Sequence, residues 1–336
     1  MHMADSLISP AVGGVMWAAS AGVIAYSVKK IEKEMDEKKA PLMGVVGAFV
    51  FAAQMINFTI PGTGSSGHIG GGILLAALLG PYAGFLTLSA VLIIQALFFA
   101  DGGLLSYGCN VINMGFYACF IAYPFIYKWI TKKGMSTKRI FTATIASCIV
   151  GLQLGAFSVV LETLLSGKTE LPFGTFVALM QPVHLIIGTI EGIITGAVVS
   201  FVWKARPEII ESSVSGKLMG KTSIKNVMIA FALLVVITGG VFSWFASKNP
   251  DGLEWSIKKI TGSTEIQATD SVHKKLEDAQ KKTVLLPDYG FKTSDKSEAS
   301  SNAGASASGL IGGGLTLALA AGVGIVLSKS KNKKTH

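Results

Sequence analysis

Charge is scarce in this chain: Asp, Glu, Lys and Arg make up 15% of its 336 residues, too few for an ordinary soluble protein of that length. Cysteine is scarcer still. Cys109, Cys119 and Cys148 all lie in apolar runs and none has C-x-x-C spacing, which excludes a disulfide framework and a thiolate zinc site and leaves them as small packing residues. No H-E-x-x-H run supplies the ligands and base of a metal-dependent intramembrane hydrolase. A nucleotide-hydrolysing site is missing too. Ser215-Gly216-Lys217-Leu218-Met219-Gly220-Lys221-Thr222 imitates a P-loop, but Ser215 stands where the first glycine belongs and no strand precedes it. Gly62-Thr63-Gly64-Ser65-Ser66-Gly67 spells G-x-G-x-x-G after an apolar run rather than after a βαβ strand, so no dinucleotide is expected there. The first apolar run has no basic segment before it and no A-x-A site after it, so it is not a cleaved signal peptide, and Met1 and His2 are expected to survive in the mature chain.

What the chain has instead is apolar length. Half of it is hydrophobic and the mean hydropathy is +0.55. Runs long enough to cross a bilayer fall at 6–28, 42–60, 81–100, 105–127, 139–164, 182–203, 225–247 and 309–328, and a shorter run at 69–79 needs protein cover at one end. The expected fold is therefore all-α and polytopic: a seven-helix substrate-binding unit, then two further transmembrane helices flanking an extracytoplasmic segment.

Basic residues orient these spans. Lys29, Lys30, Lys33, Lys38 and Lys39 follow the first, and Lys128, Lys132, Lys133, Lys138 and Arg139 separate the fifth from the sixth. Lys204, Arg206, Lys217, Lys221 and Lys225 follow the seventh, and Lys329, Lys331, Lys333 and Lys334 form the tail. If all nine runs cross, every cluster lies on one side, which the positive-inside rule makes cytoplasmic. The N-terminus is then outside and the C-terminus inside the cell membrane. The net charge of +9 thus reflects topology, not a nucleic-acid surface.

Composition divides the chain into residues 1–206, a membrane unit of seven spans; 207–224, a polar cytoplasmic linker; and 225–336, a second unit. The outside segment of that second unit, 248–308, balances nine lysines against nine acidic residues, as a solvated domain does. Its Ser-, Ala- and Gly-rich end, 297–308, reads as a flexible tether. Small residues at helical spacing, such as Gly14, Ala18 and Gly22 or Gly314, Ala318 and Gly322, flatten helix faces for close packing.

The chain opens Met1-His2-Met3. A terminal amine, the next amide and that residue's imidazole can chelate one ion through a five- and a six-membered ring, leaving a fourth in-plane position. Ligation through a deprotonated amide favours Ni²⁺ or Cu²⁺, and less readily Co²⁺. A solvated, frayed terminus with an incidental histidine is the alternative. A second outside histidine, His68, lies within a glycine-rich re-entrant stretch from Pro61 to Gly72. Gln54, Asn57, Gln95, Asp101, Asn110 and Asn113 cluster near the same face, either orienting the histidines or satisfying backbone where helices end. His184 and Glu191 lie seven apart on one helix face, either a functional intramembrane pair or a structural one.

With these residues in view, the chain resembles the substrate-binding M component of nickel and cobalt energy-coupling factor transporters, fused to the companion N component. The resemblance rests on Met1-His2, the His68 loop, Phe99-Ala100-Asp101-Gly102-Gly103 followed by Asn110, Asn113 and Met114, and the run from His184 to Gly192. For the N part it rests on Pro250-Asp251-Gly252-Leu253-Glu254-Trp255. It implies a metal set of the Met1 amine, the His2 amide and imidazole and the His68 imidazole. It further implies a subunit that captures Ni²⁺, or else Co²⁺, from outside and has no catalytic site or resident cofactor. Uptake would depend on a transmembrane coupling subunit of the T or Q type and two ATP-binding cassette ATPases. The departure Met3-Ala4-Asp5-Ser6 after Met-His leaves nickel and cobalt both open. The alternative function is a self-sufficient proton-coupled cation carrier using His184 and Glu191, whose expected mark, an inverted repeat at the midplane, is not visible.

Overall fold

A computed structural model describes residues 2–31, 35, 38–216, 218, 223–267, 270–292 and 297–334, the last five as backbone only. Met1, Lys33, Lys217, Lys221 and the core of the P-loop-like stretch lie outside the described residues. The chain is an all-α multi-pass membrane protein. Helices α1 (Pro10–Ile31), α2 (Lys39–Gln54), α3 (Gly72–Leu79), α4 (Pro81–Phe99), α5 (Tyr107–Thr131), α6 (Thr137–Leu165) and α7 (Phe173–Ala205) form the first unit. Among the described residues six helices are long and apolar enough to cross a membrane: α1, α4, α5, α6, α7 and the last, α12 (Glu298–Lys334). Two shorter apolar helices, α2 and α9 (Lys225–Gly240), accompany them. The expected short run became α3, whose eight residues are all buried, so protein covers it at both ends, as irregular backbone within a bilayer requires.

Backbone proximity, made possible by small side chains, holds the spans together. On α7, Gly188 and Gly192 lie against the backbone of Ile149 and Ile145 in α6, where a Cβ on Gly192 would sit 2.4 Å from the Ile145 Cα. Helix α12 packs along α2, and α9 packs on both. Helix α1 is peripheral, with only 17% of its most apolar window buried. Its N-terminal half is fixed by Trp17, which donates to the Leu104 carbonyl at 2.8 Å and lies on Tyr107 with ring centroids 4.8 Å apart.

Two expectations are corrected. The stretch 297–308 is no flexible tether, because residues from Glu298 onward are the first turns of α12. Alanine there favours helix, and the turns are packed: Gly309 lies on the Gly239 backbone, and Trp244 donates to Ser306 Oγ at 2.7 Å. The segment from 248 onward, expected to be solvated, is seated on the first unit. Its helices α10 (Gly252–Thr261) and α11 (Ser271–Thr283) lie over the N-terminal tail and the loops at one end of the first unit. The helix boundaries also differ, since α7 begins at Phe173 instead of 182 because a buried Phe176 and Met180 extend its packed face outward. Residues 207–215, in the stretch expected as a linker, form a short helix α8 (Pro207–Ser215) whose Ser213 donates to the Ala77 carbonyl of α3.

Candidate metal centre

The N-terminal tail reaches the centre because polar groups from the α4–α5 turn grip Met3. Asn110 accepts from the Met3 amide at 2.8 Å and donates to its carbonyl at 3.2 Å, and the same carbonyl accepts from Gly103 N–H and Ser106 Oγ. Met3 is fully buried. Next along the tail, Asp5 accepts from Ser106 N–H at 2.9 Å and a 3₁₀ turn at Asp5–Leu7 leads into α1.

The His68 loop is shaped by a hairpin, β1 (Phe58–Ile60) with β2 (Ser65–Gly67), and held by a buried carboxylate. Glu191 on α7 accepts from Gly70 N–H at 2.8 Å and from Gly71 N–H at 2.9 Å. Gly71 has φ +77°, a left-handed value suited to glycine, and this turns its N–H toward the carboxylate at the start of α3. From the other side, Gln95 donates to Gln54 at 2.9 Å, and Gln54 donates to the Gly70 carbonyl at 2.8 Å.

These two scaffolds bring His2 and His68 together: the rings stack with centroids 5.1 Å apart and planes 14° apart. His68 Nδ1 lies 3.0 Å from the Ile69 carbonyl, an acceptor, so this nitrogen carries the proton and Nε2 presents a lone pair. His2 Nδ1 faces Asp101 Oδ1 at 3.2 Å. Gln95 reaches toward the His2 ring without closing a hydrogen bond, and His2 Nε2 and Gln95 Oε1 are both buried without a partner. Burial lowers both imidazole pKa values to about 3, so both are neutral at physiological pH and fit to ligate. Burial pushes the Asp101 carboxyl up.

Among the described residues no group of three or more His, Cys, Asp or Glu side chains can hold a metal ion. A site here would have to draw backbone nitrogen into the set.

The remaining expected residues divide. Asn113 donates to Met3 Sδ at 3.6 Å and to Glu162 at 2.8 Å, so it supports the tail. Asn57 is set apart: its carbonyl accepts from Ser247 N–H and its Oδ1 is buried without a partner. His184 and Glu191 are not joined, since His184 Nδ1 lies 2.8 Å from the Met180 carbonyl while Glu191 serves the loop.

Sequence reasoning missed what the second unit supplies. Ser66 donates through N–H to Pro250 O at 2.8 Å, which brings Asp251 Oδ2 to 3.9 Å from His68 Nε2. The other oxygen, Oδ1, caps α10 by accepting from Leu253 and Glu254 N–H, while Glu254 accepts from Asp251 N–H. This is a capping box, and its D-x-x-E spacing was there to be read. Over the tail, His273 Nε2 lies 2.8 Å from Asp5 O and 3.0 Å from Ile8 O. Gln280 donates to Ala96 and Gly102 carbonyls, both at 2.8 Å, and Tyr289 donates to Asp101.

Residues 2–209 match the family described as cobalt uptake substrate-specific transmembrane region, and residues 225–329 match the PDGLE domain. The chain is 36% identical over 225 residues, 65% of this chain and 71% of the relative, to a putative fused nickel transport protein NikMN of Archaeoglobus fulgidus. It is 32% identical over 216 residues, 62% of this chain and 66% of the relative, to a probable fused nickel transport protein LarMN of Lactiplantibacillus plantarum. Among solved structures, a truncated transition metal transporter is 32% identical with a TM-score of 0.54, the match covering 61% of this chain and 99% of that one.

Proposed function

We propose that this chain, which belongs to the cobalt uptake substrate-specific transmembrane family, is the substrate-capture subunit of an ATP-driven importer of Ni²⁺, with Co²⁺ as the second candidate. The observation that carries the proposal is the meeting of His2 and His68 from segments 66 positions apart in sequence, both neutral and buried. In this reading the ion is the cargo. The Met1 amine, the His2 amide and Nδ1 and the His68 Nε2 make a planar nitrogen set, which suits Ni²⁺ better than Co²⁺ because the amide proton is more readily displaced. The reading requires Met1 to carry a free amine. Relatives named as nickel transport proteins support the choice of cargo.

The basic helix ends lie away from this site along the alternating spans, which supports an orientation with the site outside and the C-terminus in the cytoplasm. The chain performs no catalysis of its own, and uptake against a gradient draws on a transmembrane coupling subunit and two ATP-binding cassette ATPases.

Two linked measurements test this. His2→Ala and His68→Ala should each abolish high-affinity nickel binding by the purified, folded chain. Reconstituted alone in liposomes with internal ATP, the wild-type chain should bind nickel without accumulating it, whereas the complete assembly accumulates it. Unchanged affinity in both variants would sink the site, and accumulation by the isolated chain that collapses with a protonophore would favour a proton-coupled carrier.

A further inference from the structure

Beside His68, between the two units, lies a cavity of about 10 Å³, room for a single water or ion. His68, Met114, His184, Asp251 and Gly252 are among its lining residues. His184 is 1% exposed and belongs to the middle of α7. Its Nδ1 is committed to the Met180 carbonyl, an acceptor, so Nδ1 carries the proton and Nε2 bears the lone pair. That Nε2 is buried and has no hydrogen-bond partner. A neutral imidazole whose distal nitrogen is fixed by a carbonyl and whose other nitrogen faces a small cavity is the arrangement of a preorganised metal ligand. Gly252 matters here for its size, because a Cβ at that position would sit 3.1 Å from His184 Cε1 and 2.6 Å from Val183 and would fill the space.

We infer that this cavity is a second, inner position for the transported divalent ion, with His184 Nε2 as its ligand and His68 Nε2 shared between the outer and inner positions. The inference rests on the reading of His2 and His68 as outer ligands. Asp251 Oδ2, 3.9 Å from His68 Nε2, supplies the negative charge that replaces the deprotonated amide, and Met114 offers a soft neighbour. In the metal-free geometry His68, His184 and Asp251 do not close on one point. Rotation of His68 is the step that would carry its Nε2 from the N-terminal nitrogens to the inner position. Transfer is then a ligand exchange: the ion keeps His68 Nε2, releases the His2 nitrogens and the terminal amine, and gains His184 Nε2 and the Asp251 oxygen. The released amide nitrogen takes back a proton from water.

The experiment is a double-variant cycle in the full chain, with nickel affinity measured by calorimetry in wild type, H184Q, H2A and H2A/H184Q. In the wild-type background the outer chelate dominates, so H184Q should cost affinity less than it does where the chelate is disabled, and the thermal midpoint of each variant shows that it folds. With the chelate disabled by H2A, the remaining affinity comes from the inner position, and adding H184Q should weaken it by at least about tenfold, as loss of a metal-fixing group does. An equal cost of H184Q in both backgrounds, or no cost in either as for a cavity that holds only water, overturns the inference. If H2A alone binds as tightly as wild type, it is the outer site that fails. A second variant reads the position directly: H2A/H184C loaded with Co²⁺ should show a thiolate-to-metal charge-transfer band that H2A lacks. Absence of that band in a folded H2A/H184C overturns the inner position.

Discussion

Asp101 Oδ1 stands 3.2 Å from His2 Nδ1, the nitrogen that the proposed chelate uses. A metal can bind there only where the neutral ring carries its one proton on Nε2, so any proton shared between the two groups must rest on the carboxyl. Burial raises the Asp101 carboxyl, which makes the group a competent acceptor for that proton, and Tyr289 holds its other oxygen in place. Asp101→Asn can take neither the proton nor the role of counter-charge. It is expected to weaken nickel binding about 10- to 100-fold, as loss of an outer partner of a ligating histidine does. Tyr289→Phe should move affinity the same way by less. Calorimetric titration of both variants decides the matter, and wild-type affinity in Asp101→Asn would remove that carboxylate from the chemistry.

The chelate depends on the distance from the amine to His2, so register at the N-terminus should matter more than composition. One residue added before Met1 moves the amine away and places the imidazole at position 3. Such an extension, or a retained formyl group, is expected to cost most of the uptake and to change the d–d absorption of the nickel complex. A chain with an N-terminal tag that binds and transports normally would contradict the chelate while leaving His68 in play.

The second unit holds both the tail and the α4–α5 turn beside it. His273 holds the carbonyls of Asp5 and Ile8, and Gln280 holds those of Ala96 and Gly102. The double variant His273→Ala with Gln280→Ala should therefore loosen residues 3–8 without altering any spanning helix. Hydrogen exchange of the Met3 and Leu7 amides is expected to accelerate about tenfold or more, the loss of about one net hydrogen bond's worth of local stability. Deleting 225–336 removes Asp251 as well, and should weaken nickel binding further than the double variant. Exchange rates and affinity that match wild type after the deletion would reduce the second unit to an accessory.

The membrane fold was legible because apolar length is set by bilayer thickness, and the sidedness of the lysine clusters placed His2 and His68 together before any geometry was known. Helix ends were less so. Residues 297–308 look like a tether from serine and glycine content, yet Gly309 and Ser306 contribute close packing against Gly239 and Trp244, a property of the partner surface that composition cannot carry. For Asp251, the approach to His68 was illegible for a related reason. Its cap over α10 is encoded locally by D-x-x-E, whereas its approach to His68 depends on the Ser66 to Pro250 hydrogen bond, which joins residues 184 apart. His184 and Glu191 share a helix face, as their spacing implies, but the carboxylate is drawn to two glycine amides that only the folded loop presents.

The two neutral imidazoles also set a pH dependence of the metal-free chain. Burial holds His2 and His68 at about 3 in the folded protein, against an ordinary value of 6.5. Above pH 6.5 neither state binds these protons and stability does not vary through them. Below it the unfolded chain takes up protons that the folded chain refuses, so stability falls as pH falls, by up to about 1.4 kcal/mol per unit for each group until the pH approaches 3. The thermal midpoint of the detergent-solubilised, metal-free chain should thus hold steady from pH 8 to 6.5 and drop between pH 6 and 4. In the variant with His2→Gln and His68→Gln, which has no such protons to exclude, the drop should be shallower. Equal slopes for the two proteins would mean that these rings are exposed or already charged in the folded chain, and so are not the neutral ligands that metal capture needs.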